Sequence, residues 1–189
     1  MTNRLRPVNL LHKYYREAPA ALQIILDHSR LVTARAVRIA RRLQTSETVD
    51  IRFIAEATML HDIGSIFTHA PALGCFGDLP YICHGIKGSE ILKAEGLHRH
   101  ALVCERHIGV GLTAAEIVKN NMPLPPRDMI PVTLEEQIIC YADLFYSKNA
   151  KDRGKEKDPL RVRNSLEQFG PGKREIFDHW RERFEPELN

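Results

Sequence analysis

Asp50-Ile51-Arg52-Phe53-Ile54-Ala55-Glu56-Ala57-Thr58-Met59-Leu60-His61-Asp62-Ile63-Gly64 is the stretch whose pattern sets the fold class. Asp50 can cap a helix with its side-chain oxygen. Phe53, Ile54, Ala57 and Leu60 then recur at three- and four-residue steps, the spacing of one helix face. That face runs into His61 and Asp62, and Gly64 offers a left-handed stop just past the pair.

The flanking segments repeat the helical period. Upstream, Pro19 suits a first helical turn, and Leu22, Ile25, Val32, Ala36, Ile39 and Leu43 form a long apolar stripe. His28 lies one turn from both Ile25 and Val32, so it borders the buried face. Downstream, residues 65–80 hold Ser65, Pro71, Gly74, Gly77, Asp78 and Pro80, which break any period and predict an irregular loop. Helix resumes near Tyr81 and runs to a stop at Gly96. The next helix carries Leu97, Ala101, Val103 and Cys104 towards His107, and a short one covers Thr113 to Asn120. Four prolines between Pro123 and Pro131 exclude continuous helix. Thr133-Leu134-Glu135-Glu136 reads as a capping box that opens a helix through Ile138, Ile139 and Tyr141 to Asp143. Lys151 to Asp158 reads as a charged, solvated link, and Ile176, Phe177, Trp180 and Phe184 as an amphipathic closing helix. No strand shows convincing alternation and no repeat is present. The expectation is an all-α, single-domain helical bundle, with residues 1–150 as its main body and 151–189 as a link and helix packed on it.

Composition agrees with an ordinary globule. The 189 residues are 43% hydrophobic and 27% charged, with a net charge of +3, enough chain to bury a core without disulfides. The mild charge, not gathered in a basic arm, argues against a nucleic-acid polymer as partner and leaves an anionic small molecule as the expected one. Cys75, Cys83, Cys104 and Cys140 form no CxxC knuckle. With no secretory leader at Met1-Thr2-Asn3-Arg4, they are expected as reduced thiols of a cytoplasmic protein. Cys104 and Cys140 stand three residues before His107 and Asp143, as small buried neighbours of a site. No apolar run is long enough for a membrane span. The closing amphipathic stripe leaves monomer or homodimer open.

His28, His61, Asp62, His84, His107 and Asp143 make an ordered set on five segments. Imidazoles suit first-row transition ions, and a carboxylate can bridge two ions through its two oxygens. Asp62, next to His61 at a helix end, is the natural bridge. His28, His61 and Asp143 would then serve one ion, and His84 and His107 the other. Two divalent ions bring about +4 and the two aspartates about −2, a centre that attracts phosphate and lowers the pKa of a bound water. The water becomes a hydroxide able to attack phosphorus. Fe or Mn are the favoured metals, with Co, Ni, Zn or Mg as alternatives. No Ser-His-Asp order, nucleophile elbow or P-loop competes. His12, His69, His98, His100 and His179 fall outside the set, His69 least securely because it sits in the irregular loop.

The set resembles the HD superfamily of metal-dependent phosphohydrolases, in the subgroup whose pair extends to His-Asp-Ile-Gly. The resemblance spans about residues 20 to 150. It is carried by Leu26-Asp27-His28, Met59-Leu60-His61-Asp62-Ile63-Gly64, His84-Gly85-Ile86-Lys87-Gly88-Ser89-Glu90-Ile91-Leu92, Glu105-Arg106-His107-Ile108-Gly109 and Tyr141-Ala142-Asp143. It implies an HD-type helical bundle with the pair at its heart, and the two extra histidines, His84 and His107, imply a dinuclear centre. Many relatives place a substrate-touching lysine three residues after the aspartate of the pair, where this chain has Ser65. Lys87, one turn after His84, is the expected replacement for catalysis and substrate contact, with Arg106, Lys148 and His69 as further substrate contacts. The signature that follows the domain in members cutting cyclic dinucleotides is absent from this sequence.

The leading expectation is hydrolysis of a phosphate mono- or diester of a small molecule, a nucleotide above all. The alternative that shares these ligands is a mixed-valence di-iron oxygenase acting on a polyol or phosphonate, which Lys148 could hold. A non-catalytic binding module is the third reading, and the intact ligand set argues against it.

Overall fold

Helix α2 (Pro19–Leu43) is the spine of the molecule. The computed structural model describes residues 5–170 and 172–188; residues 1–4, on which the expectation about a secretory leader rests, lie outside them. Before the spine comes α1 (Pro7–Tyr14), and after it α3 (Ile51–Leu60). Then follow a 3-10 turn (Ile63–Phe67), α4 (His84–Ala94), α5 (His98–Arg106), α6 (Ala114–Lys119), α7 (Leu134–Asp143), α8 (Pro159–Leu166) and α9 (Lys173–Phe184). The fold is all-α. No helix among the described residues is long and apolar enough to cross a membrane.

Two apolar clusters share the spine. Its C-terminal half gives Val32, Ala36 and Ile39 to a core with Phe53 and Ile54 of α3, Ile138 and Tyr141 of α7, Phe145, and Phe177, Trp180 and Phe184 of α9. Its N-terminal half gives Leu22 and Ile25 to a second core with Leu11, Tyr15, Leu60, Ile63, Leu92 and Cys104. His28 falls between Ile25 and Val32, and His61 follows Leu60, so both lie at the seam between the clusters. Each fully buried aliphatic or aromatic side chain contributes about 1.5–3 kcal/mol through removal from water. The seam is therefore packed from both sides.

Several local expectations need correction. Gly64 is not a left-handed stop, for it is not among the positive-φ residues, and the chain continues past it as the 3-10 turn. Its smallness serves a close approach instead: a Cβ there would lie 2.1 Å from the His84 carbonyl oxygen and 2.2 Å from the Gly88 nitrogen. The 65–80 stretch also contains a minimal antiparallel pair, β1 (His69–Ala70) with β2 (Cys75–Phe76), in the register His69 opposite Phe76. Thr133 caps α7 through the Glu136 N–H, but the Glu136 carboxylate accepts from the Val132 N–H instead of closing a capping box. The reciprocal box forms at Thr113 and Glu116, at the start of α6.

The charged segment 151–158 is tied down, contrary to the solvated link expected. Arg35 of α2, 1% exposed, pairs with Glu156 in that segment and with Glu185 just after α9. Its guanidinium lies 3.4 Å from the centroid of the Phe145 ring. Tyr141 donates to Glu185 at 2.9 Å, and the Lys157 N–H to the Phe145 carbonyl at 2.9 Å. A buried arginine needs such partners because an unpaired charge in the interior is strongly unfavourable.

Candidate metal centre

The polar interior of the seam collects the six residues of the ordered set. His28 comes from the middle of α2, His61 caps the C-terminus of α3, and Asp62 follows it. His84 opens α4, His107 caps α5, and Asp143 closes α7. Helix ends can aim short side chains into a common space without displacing the packed stripes.

The two oxygens of Asp62 face different neighbours. Its Oδ2 lies 3.2 Å from His28 Nε2 and 2.9 Å from His61 Nε2. Asp143 Oδ1 completes that group, 2.9 Å from His28 Nε2 and 3.4 Å from His61 Nε2. Asp62 Oδ1 points the other way, 3.4 Å from His84 Nε2 and 3.7 Å from His107 Nε2, and those two nitrogens are 3.1 Å apart. Ligand atoms about 2.1 Å from one ion stand about 3.0–3.4 Å from each other in octahedral or tetrahedral arrangements. The observed separations have that scale. The ligand atoms of His28, His61 and Asp143, and those of His61, Asp62 and His107, each lie within 4.8 Å of one another.

The far side of each ring decides what the near side can be. His61 Nδ1 is 2.6 Å from the Thr58 carbonyl, His84 Nδ1 2.6 Å from Tyr81's, and His107 Nδ1 2.8 Å from Cys104's. A carbonyl only accepts, so in each neutral ring Nδ1 carries the hydrogen and Nε2 an outward lone pair. Lone pairs on nitrogens then confront lone pairs on carboxylate oxygens, which repel unless a cation lies between them. Asp62 Oδ1 and Asp143 Oδ1 are buried without hydrogen-bond partners, as is His28 Nδ1. A donor set of four imidazoles and two carboxylates with orphaned, buried oxygens fits divalent transition ions.

The titration tendencies express the same demand for positive charge. Burial alone would depress His61, but the adjacent Asp62 and Asp143 push its pKa up to about 10. Burial raises Asp62, yet His61 and Lys148 hold its carboxyl well below the usual range. Asp143 is held low against burial by His28 and His61. Burial takes His84 down to about 3, which keeps that ring neutral.

The other expected contacts separate. Lys148 Nζ reaches the cluster, 2.6 Å from Asp62 Oδ2 and 3.3 Å from His28 Nε2. The Lys87 ammonium, expected at the substrate, pairs with Glu90 at 2.7 Å. Arg106 Nη1 is held by both Glu136 oxygens at 3.1 and 3.0 Å, because that carboxylate is buried and needs a cation. His69 is exposed on β1. Ser65 is fully buried, with its hydroxyl lacking a hydrogen-bond partner. Tyr81 is the residue the sequence did not flag. Its ring stacks on His84 at 4.6 Å, and burial raises its hydroxyl pKa to about 12. The accepting carbonyls of Thr58, Tyr81 and Cys104 all stand three residues before their histidines, a spacing visible in the sequence. Cys104 and Cys140 are buried, and their thiols meet the carbonyls of Leu60 and Arg106; burial pushes both thiols well up.

Comparison with known proteins shows the family. The family description "HD domain" matches residues 25–147. An uncharacterized protein of Methanocaldococcus jannaschii is 36% identical over 121 residues, 63% of this chain and 64% of that protein. A tRNA (cytidine(56)-2'-O)-methyltransferase of Thermoplasma volcanium is 31% identical over 141 residues, 74% of this chain and 35% of that protein. One of the same name from Picrophilus torridus is 36% identical over 111 residues, 58% of this chain and 29% of that protein. The chain thus spans under two thirds of the length of each. No solved structure matches.

Proposed function

The chain belongs to the HD domain family, a family of metal-dependent hydrolases, and on that premise we propose that it hydrolyses a phosphate mono- or diester of a small molecule, a nucleotide above all. The supporting observation is the division of Asp62, one oxygen towards His28, His61 and Asp143 and the other towards His84 and His107. In this reading the six residues hold two divalent transition ions, Fe or Mn above all. When bound, the ions supply Lewis acidity to the phosphate and lower the pKa of the attacking water.

The protein's own part is positioning and charge. Asp62 fixes the two halves to a single carboxylate. The Thr58, Tyr81 and Cys104 carbonyls lock three imidazoles in the tautomer that presents Nε2, and such outer partners also raise ligand basicity. Lys148 provides the cation that Ser65 cannot, within reach of a phosphate oxygen beside Asp62. Tyr81, over His84, closes one side of the site against water.

Methyl transfer, which the names of two relatives state, is not carried over. The shared stretch is a third or less of the Picrophilus protein and little more of the Thermoplasma one. Four nitrogen donors and one oxygen donor around a shared carboxylate suit metals rather than a methyl donor. The placement of Lys148 does keep a second reading, a di-iron oxygenase acting on a polyol or phosphonate. Substrate-dependent oxygen uptake by the iron-loaded protein would favour it.

The test is metal analysis followed by a panel of phosphorylated metabolites on the wild type and Asp62→Ala. Phosphate release with Mn²⁺ or Fe²⁺ that is lost in the variant is the expected result. A fully loaded wild type that releases nothing from the panel overturns the reading.

A further inference from the structure

A cleft of about 450 Å³ opens beside the candidate centre, lined by Asp27, His28, Arg30, Leu31, Ser147, Arg153 and Gly154. Its volume is in the range of small-molecule sites, about 300–1,000 Å³. His28 is the shared wall, one of the six clustered residues and a lining residue at once. Two other clefts of about 560 and 460 Å³ touch none of the six.

The cleft carries cationic side chains besides the Lys148 ammonium that meets Asp62. Arg153 is half-buried, with Nε and Nη2 both 3.3 Å from the Lys148 carbonyl. Its Nη1 has no partner among the described residues. The same residue whose ammonium meets Asp62 therefore anchors, through its carbonyl, a guanidinium facing the cleft. Arg30 also lines the cleft, only partly compensated by Asp27 at 3.2 Å. Asp27 is itself engaged by Gln23 at 2.8 Å. Two arginines against one aspartate leave the cleft with one formal positive charge. Ser147 Oγ accepts from the Asn149 N–H at 3.2 Å, which leaves its hydroxyl hydrogen free to donate. A planar guanidinium with a free edge and a nearby hydroxyl is an arrangement that recognises phosphate.

Resting on the phosphohydrolase reading, we propose that this cleft binds a second anionic group of the substrate, so that the preferred substrates carry two phosphates, one at the six-residue cluster and one on Arg153. Arg153 sets this preference, and Arg30 adds to it less because Asp27 offsets its charge. The segment 147–154 then serves both phosphates, Lys148 the first and Arg153 the second.

The probes are p-nitrophenyl phosphate, with one phosphate, and adenosine 3′,5′-bisphosphate, with two, on the metal-loaded protein. Arg153→Gln is expected to lower the ratio of kcat/KM for the bisphosphate over that for the monophosphate by about tenfold, the scale of one charge-assisted hydrogen bond. The loss is expected in KM for the bisphosphate, with kcat held. Lys155→Gln, which removes an exposed cation of the same segment, leaves the ratio at the wild-type value. If Arg153 only props the Lys148 carbonyl, both substrates fall together, the ratio stays constant, and the proposal is overturned. If the wild type hydrolyses neither compound, the phosphohydrolase reading fails by itself. Calorimetric binding of the bisphosphate then decides the cleft: affinity about tenfold weaker in Arg153→Gln supports it, whereas equal affinity or no binding by the wild type overturns it.

Discussion

The two sides of Asp62 are built differently. On the Oδ2 side stand two imidazoles, a second carboxylate from Asp143 and the Lys148 ammonium. On the Oδ1 side stand two imidazoles alone, His84 and His107, with the Tyr81 ring stacked behind His84. The first side has more negative ligand charge and comes from α2, α3 and α7, which converge on the larger apolar cluster. The second comes from α4 and α5 and joins the first through the tight contact at Gly64. Ligand charge and count govern affinity at such sites. The Oδ2 side should therefore hold its ion more tightly, and the Oδ1 side should lose its ion first to a chelator.

The most severe way to break this contrast is to remove the shared group. Asp62→Ala should abolish loading of the second ion, weaken the first and lower turnover by about 10²–10³-fold or more, read by metal analysis and phosphate release. Replacing His84 and His107 together with alanine should leave about one ion per chain and cost more than tenfold in activity. Retention of two ions there would show that the sides are not separate. Lys148→Met should leave both ions in place and lower turnover of a phosphate ester by about 10–100-fold, the worth of one or two charge-assisted contacts. Metal content that falls with activity would instead make Lys148 a structural partner of Asp62.

Gly64→Ala sharpens the contrast more gently. The added Cβ forces the 3-10 turn away from α4, at a stability cost of about 1–3 kcal/mol for overpacking. It should loosen the Oδ1 ion before the Oδ2 ion in a chelator titration. The smallest effect is expected far from both sides. Asp50 caps α3 by accepting from the Phe53 N–H at 2.9 Å and pairs with Arg99 at 2.7 Å. That N–H holds its carboxyl below the usual range, with burial opposing and Arg99 assisting. A depressed folded pKa gives stability that is present above about pH 4, the unfolded value, and is lost as pH falls through the folded one. Asp50→Ala should cost about 1 kcal/mol in thermal unfolding near neutrality, less under acid, with unchanged metal content.

What the sequence made legible follows the range of the forces involved. Helical stripes around His28, His61, His107 and Asp143 stand out because a 3.6-residue period is local. The six clustered residues stood out because each is a metal-binding type at a helix middle or end. Contacts between distant segments were hidden. Helix α1 was not anticipated, since Leu11 and Tyr15 earn their burial against Ile25, Ile63 and Cys75 rather than within their own helix. The charged composition of 151–158 suggested solvent, whereas Glu156 answers a buried arginine 121 positions away. Helical spacing to His84 favours Lys87 over Lys148. The structure shows that Glu90, three residues on, holds Lys87, while an irregular turn after Asp143 brings Lys148 inward. At Gly64 the sequence suggests conformational freedom, but the role is steric and depends on the His84 backbone.

The central claim is that one carboxylate, Asp62, divides two ions between unequal sides. Anomalous diffraction from crystals equilibrated with Mn²⁺ tests it most directly. The expected map has two peaks about 3.5–4 Å apart, one against each Asp62 oxygen, and graded chelation removes the peak beside His84 and His107 first. A single peak shared by all six residues, or two peaks of which neither touches Asp62, would contradict the account.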